Sequence, residues 1–72
     1  MKLAWSNTAW NDYLYWQKTD KQKLKRINIL IKDTLRDPYE GIGGPEAIKH
    51  DLKGFWSRRI DKEHRFGLQI FK

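Results

Sequence analysis

Between residues 43 and 59 the chain reads GGPEAIKHDLKGFWSRR, which gathers Glu46, Lys49, His50, Lys53, Arg58 and Arg59, and Arg65 follows six residues later. These side-chain types can act on a phosphate chain. Guanidinium and ammonium groups hold phosphate oxygens, an arginine engaging two at once, and a carboxylate within reach can accept a proton. Spacing by itself leaves two readings open: a solvated connector, or a phosphate-gripping loop that runs into an arginine-bearing strand. Taken singly, Glu46 suits the first turn of a short helix beginning at Pro45, and Lys49 and Lys53 suit a solvated loop. Phe55 and Trp56 could stack bases, although an aromatic pair entering a hairpin more often belongs to a core or an interface.

The elements that must position these groups follow from the apolar pattern. FWSRRI and RFGLQIF read as two strands joined by the polar turn DKEH. Ile60, Phe66, Leu68 and Ile70 fall on one face if the connection holds an odd number of residues, and Arg59 and Arg65 then share the other face. Two guanidiniums facing each other repel, and a bridging anion is the simplest reason to place them so. Arg58, adjacent to Arg59 and so pointing to the other face, reads as a rim charge.

Upstream, Leu3 and Trp5 alternate with Lys2 and Ala4 as in a half-buried strand, and Ser6 or Asn7 offers a helix cap. Trp10, Tyr13, Leu14 and Gln17 line one face of a helix over residues 8–18. Thr19 and Gln22 match a capping box that opens a second helix. Its stripe is Leu24, Ile27, Ile31 and Leu35, flanked by Leu30, and Asp37-Pro38 ends it. Residues 38–54 then read as a long loop, with one helical turn over 45–50. The expected fold class is α+β: a small antiparallel sheet covered on one face by two helices, in the order β-α-α-loop-β-β, as one domain over residues 1–72.

Composition narrows the partners. Fifteen Lys and Arg against nine Asp and Glu give a formal charge of +6, which points to a polyanion. Without cysteine the chain has neither disulfides nor thiolate metal ligands. It shows no signal-peptide pattern and no membrane-length apolar run, so a cytoplasmic protein without a membrane role, metal or cofactor is expected.

The stretches MKLAWSNTAWNDYLYWQKTDKQKLKRINILIKD, GGPEAIKHDLKGFWSRRI and EHR carry a resemblance along the chain from Met1 to Arg65. The sequence resembles the YoeB/Txe branch of the RelE-type bacterial toxins. That resemblance implies a toxin of a type II toxin–antitoxin system: an endoribonuclease that cuts messenger RNA in the ribosomal A site. It implies a YefM-like antitoxin, mRNA and rRNA as partners, with a homodimer as a further expectation. The family's functional groups fall on Glu46 as the base, Lys49 as a phosphate-binding lysine, and Arg59 and Arg65 as the sheet arginines, Glu46 and Arg65 being the catalytic pair. In one respect the chain departs from the family. After Arg65 it reads FGLQIFK, where the family continues into a further strand and a terminal His-Tyr pair. A shortened end with an open sheet edge is therefore expected, with cleavage impaired for want of the acid that protonates the leaving oxygen. A basic module that binds antitoxin or rRNA without cutting is the alternative.

Overall fold

In the computed structural model, residues 1–49 and 54–71 are described. The chain forms β1 (Lys2–Ala4), α1 (Asn7–Thr19), α2 (Lys21–Arg36), β2 (Glu46–Ala47), β3 (Phe55–Arg59) and β4 (Arg65–Phe71). Local chemistry explains the boundaries. Ser6 caps α1 by accepting from the backbone N–H of Ala9 at 3.0 Å. The second cap is Asp20 and not Thr19: the Asp20 carboxylate accepts from the N–H groups of Gln22 and Lys23. Thr19 instead ends α1, its hydroxyl donating to the carbonyl of Tyr15. A carboxylate is the stronger acceptor for two orphan donors, and the extended backbone of Asp20 (φ −154°, ψ 98°) makes the corner between the helices.

The four strands pair antiparallel in the order β1-β4-β3-β2, so the longest strand, β4, lies inside the sheet. Arg58 pairs with Phe66, Trp56 with Leu68 and Leu3 with Ile70, and this set faces the helices. Ile27 and Leu30 of α2 are fully buried against Phe66, Leu68, Ile60 and Ala9. Burying each such aliphatic side chain contributes roughly 1.5–3 kcal/mol, the main source of stability in so small a core. Trp5 closes one end, its ring edge-on to Phe66 and Tyr13 at 5.3 Å. The Tyr13 hydroxyl donates to Asn28 Oδ1 at 2.9 Å and ties α1 to α2.

Both helices are rolled relative to the stripes read from sequence. On α1 the inward residues are Ala9, Tyr13 and Trp16, and Trp10 and Leu14 are exposed. On α2, Thr34 is buried, donating to the carbonyl of Leu30 at 2.6 Å, and Leu35 is 53% exposed. The helical advance accounts for this: Thr34 lies roughly 20° around the helix from Ile27, and Leu35 roughly 80°. The helical turn expected from Pro45 is replaced by the edge strand β2, where Glu46 pairs with Ser57 and Ala47 with Trp56. Its last expected residue, His50, lies outside the described residues, as does Lys53.

Candidate functional site

The face of the sheet turned away from the helices carries the chemistry. Arg59 and Arg65 are directly opposed on β3 and β4, as the alternation argument required. Two residues along, Ser57 faces Gly67, and Glu46 of β2 faces Ser57 from the other side. Glu46, Arg59 and Arg65 therefore share one open surface.

Arg65 is held in place by its neighbours. Its Nε donates to Ser57 Oγ at 3.0 Å, and one terminal nitrogen, Nη2, donates to the carbonyls of Ser57 at 3.0 Å and Gly44 at 3.1 Å. Among the described residues these contacts occupy three of the five guanidinium N–H donors, leaving the Nη1 pair for another acceptor. Glu46 Oε2 lies 4.0 Å from Nη2, and the Glu46 side chain is 72% exposed. Carboxylate and guanidinium thus stand side by side without closing on each other. Arg59 is placed through its backbone, its N–H donating to Gly43 at 2.7 Å and its carbonyl accepting from Arg26 of α2 at 3.1 Å. Lys49 is exposed in the turn after β2, two positions past Ala47, and makes no ion pair with a described residue. The sheet brings Glu46, Arg59 and Arg65 together and leaves Lys49 at the margin.

Gly43 allows the loop to approach β3 so closely. Its φ is +83°, and a Cβ there would meet Leu30 Cδ2 at 2.9 Å, the Arg59 carbonyl at 3.0 Å and Arg58 Cβ at 3.1 Å. A side chain would therefore push Gly44 away from Arg65 as well as strain the backbone.

Arg58 is no rim charge. It is 3% exposed, packed on the helix side of the sheet, and donates to Asp33 Oδ2 at 2.6 Å, to the Ile42 carbonyl at 3.2 Å and to the Asp37 carbonyl. Asp33 also accepts from Arg36 Nε at 2.8 Å and from the Ile42 N–H at 2.9 Å. These bonds, the Arg36 contact foremost, hold the Asp33 carboxyl well below the usual carboxylate range. The result is a buried clamp tying residues 37–42, which lead to Gly43, Gly44 and Glu46, to both α2 and β3. The alternation that puts Ile60 inside puts Arg58 inside too, so the sequence held that signal. The contributions of Ser57, Gly44 and Arg26 had none, because they act through tertiary neighbours.

The β3–β4 turn has its own lock. Asp61 Oδ1 accepts from the N–H groups of Glu63 and His64 at 2.8 Å, and its carboxylate pairs with Lys23 of α2. Lys23, then the turn amides, keep the Asp61 carboxyl well below its ordinary range. His64 Nδ1 lies 3.0 Å from Asp61, its ring edge-on to Trp16 at 5.1 Å. His64 is thus engaged in structure. Among the described residues no group of three or more His, Asp or Glu could hold a metal ion. Nor is any described helix long and apolar enough to cross a membrane.

Two helices on one face of a four-stranded antiparallel sheet form the α+β architecture of small bacterial toxins of the RelE kind. The comparisons narrow this to one branch. Residues 5–70 match the model of the YoeB-like toxin of bacterial type II toxin–antitoxin systems. Toxin YoeB of Escherichia coli strain K12 is 66% identical over 65 residues, covering 90% of this chain and 77% of that protein. Toxin YoeB of Synechocystis is 57% identical over 65 residues, with 90% and 76% covered. Among solved structures, a YoeB/ParE toxin from Agrobacterium tumefaciens superposes with a TM-score of 0.85 at 46% identity, covering 100% of this chain and 84% of that one. A YoeB–YefM heterotetramer from Staphylococcus aureus gives 0.82 at 43%, with 96% and 80% covered. The chain belongs to the YoeB toxin family.

Proposed function

We propose that this toxin is a ribosome-dependent endoribonuclease that cuts messenger RNA in the A site, with Glu46 as general base and Arg65, Arg59 and Lys49 holding the phosphate. The observation that carries the reading is the fixed Arg65 guanidinium, 4.0 Å from an open Glu46 carboxylate and opposite Arg59 on the sheet face turned away from the helices. A phosphodiester seated on the free Nη1 donors and on Arg59 would bring its 2′-hydroxyl toward Glu46. Glu46 takes that proton, the 2′-oxygen bonds to phosphorus, and the bond from phosphorus to the 5′-oxygen breaks. The arginines stabilise the charge that accumulates on the phosphate oxygens. The departing 5′-oxygen takes up a proton from water. The structures of related YoeB proteins as a dimer and with YefM support a homodimer and a YefM-type antitoxin as partners of this chain.

Primer extension on ribosomes programmed with a defined message tests the reading. Cuts within the A-site codon should fall about 10²–10⁴-fold in Glu46→Gln. Equal cutting by Glu46→Gln would overturn the role of Glu46. Retention on ribosomes with no cuts by either protein would make this chain a binding module.

A further inference from the structure

The proposed chemistry uses one end of the open sheet face and leaves the other unassigned. From Arg65 the face runs along β4 to Gln69, ~13 Å at ~3.3 Å per residue. There Phe55 stands opposite Gln69, and Phe71 stands opposite Lys2. Phe55 is half-buried and Phe71 is 44% exposed. As diagonal neighbours across the β3–β4 pair, their Cα atoms lie ~7–8 Å apart, within reach of a common ligand. Its sequence neighbour Trp56 points the other way and packs on Tyr39 at 4.8 Å, so the FW pair divides between the two faces. Between the aromatic and arginine ends lies an apolar step: the exposed Ile48 of the edge segment reaches over Gly67, its Cδ1 3.3 Å from where a Cβ there would stand, and the small Ser57 side chain is bound to Arg65.

Cations beside exposed aromatic rings on a flat sheet are the parts of a single-strand nucleic-acid platform. The cations follow the phosphates, and each ring offers a π-face to a base of any identity. We propose that Phe55 and Phe71 form a base-stacking track for single-stranded RNA that continues the strand gripped by Arg59 and Arg65, with Lys2 beside its backbone. The track rests on the reading of those arginines as phosphate holders. Its occupant is RNA because the face is basic at both ends and the chain carries a formal +6. An acidic peptide would satisfy the cations but would leave the rings without stacking partners.

Fluorescence anisotropy with two labelled probes of equal length, a short oligoadenylate and its abasic counterpart, separates the two layers. Phe71→Ala should weaken binding to oligoadenylate about 5- to 100-fold, with Phe55→Leu acting in the same direction. Neither should alter affinity for the abasic probe or the salt dependence. Arg65→Ala should weaken both probes and reduce the salt slope by about 1. Wild-type oligoadenylate affinity in both phenylalanine variants, with Arg65→Ala impaired, would overturn the track and leave the phosphate reading standing. An unaffected Arg65→Ala would remove the phosphate reading itself. Phe71 is solvent-facing, so Phe71→Ala decides the matter even if Phe55→Leu fails to fold. Loss of a dimer in Phe71→Ala at unchanged RNA affinity would assign the face to a second copy of the chain and also overturn the track.

Discussion

Replacing Arg58 by methionine removes a buried guanidinium while keeping much of its apolar bulk. In the native protein that guanidinium serves Asp33, the Ile42 carbonyl and the Asp37 carbonyl. Breaking one side of a buried pair costs about 3–5 kcal/mol, chiefly because the partner is left without compensation. Asp33 keeps two donors, Arg36 and the Ile42 N–H, which places the expected loss near the lower end, about 3 kcal/mol. A domain of 72 residues has roughly 4–11 kcal/mol of total stability, so this single change removes a large share of it. At ~4–8 °C per kcal/mol for a domain of this size, Tm should fall by about 12–24 °C. Thermal unfolding followed by far-ultraviolet circular dichroism, with urea titration for the free energy, measures both. A fall of less than ~4 °C would mean that Arg58 behaves as a solvated surface charge, and the clamp would be refuted. A double-mutant cycle with Asp33→Asn should show a coupling of at least ~1 kcal/mol.

Acid should weaken the fold through the same group and through Asp61. Both carboxyls sit below their unfolded values, so their stabilisation is complete above about pH 4 and is lost as pH falls toward the folded values. Urea midpoints measured from pH 6 to pH 2 should decline below about pH 4, and less steeply in Asp33→Asn. Gly43→Ala should cost about 1–3 kcal/mol from the left-handed backbone, with added strain from Leu30 and the Arg59 carbonyl, and a lower urea midpoint checks it. Ser57→Ala removes the Nε acceptor of Arg65 on a half-exposed strand position. It should leave Tm within a few degrees while lowering cleavage in the primer-extension assay, separating positioning of Arg65 from stability.

The helix–helix–hairpin order, the Ser6 cap and the shared face of Arg59 and Arg65 were all legible in sequence, because each depends on residues close together in the chain. Helix roll was less so. Apolar residues at three- and four-residue spacing mark a broad face, and whether Thr34 or Leu35 sits at its centre is settled by what the sheet offers opposite. The edge strand at Glu46 was hidden for a related reason. Pro45 and Glu46 have good helical-start chemistry, and only pairing with Ser57 and Trp56 draws them into the sheet. Arg58 lies between these cases: alternation places it inside, but its rank as a buried residue depends on finding Asp33, 25 positions away.

Sequence alone therefore determined the basic charge, the two helices, the first strand and the C-terminal hairpin, the residue types available to a phosphate and the resemblance to the family. Charge resides in composition, the elements in short-range periodicity, and the resemblance in the order of residues along the matched stretches. Tertiary structure decided that Arg65 is a braced arm and not a free one, that a buried Arg58–Asp33 clamp supports the loop before Glu46, and that Phe55 and Trp56 part to opposite faces. The reason is physical. Each of these depends on which backbone carbonyl or carboxylate lies within about 3 Å of a side chain, and that is set by how distant strands and helices pack.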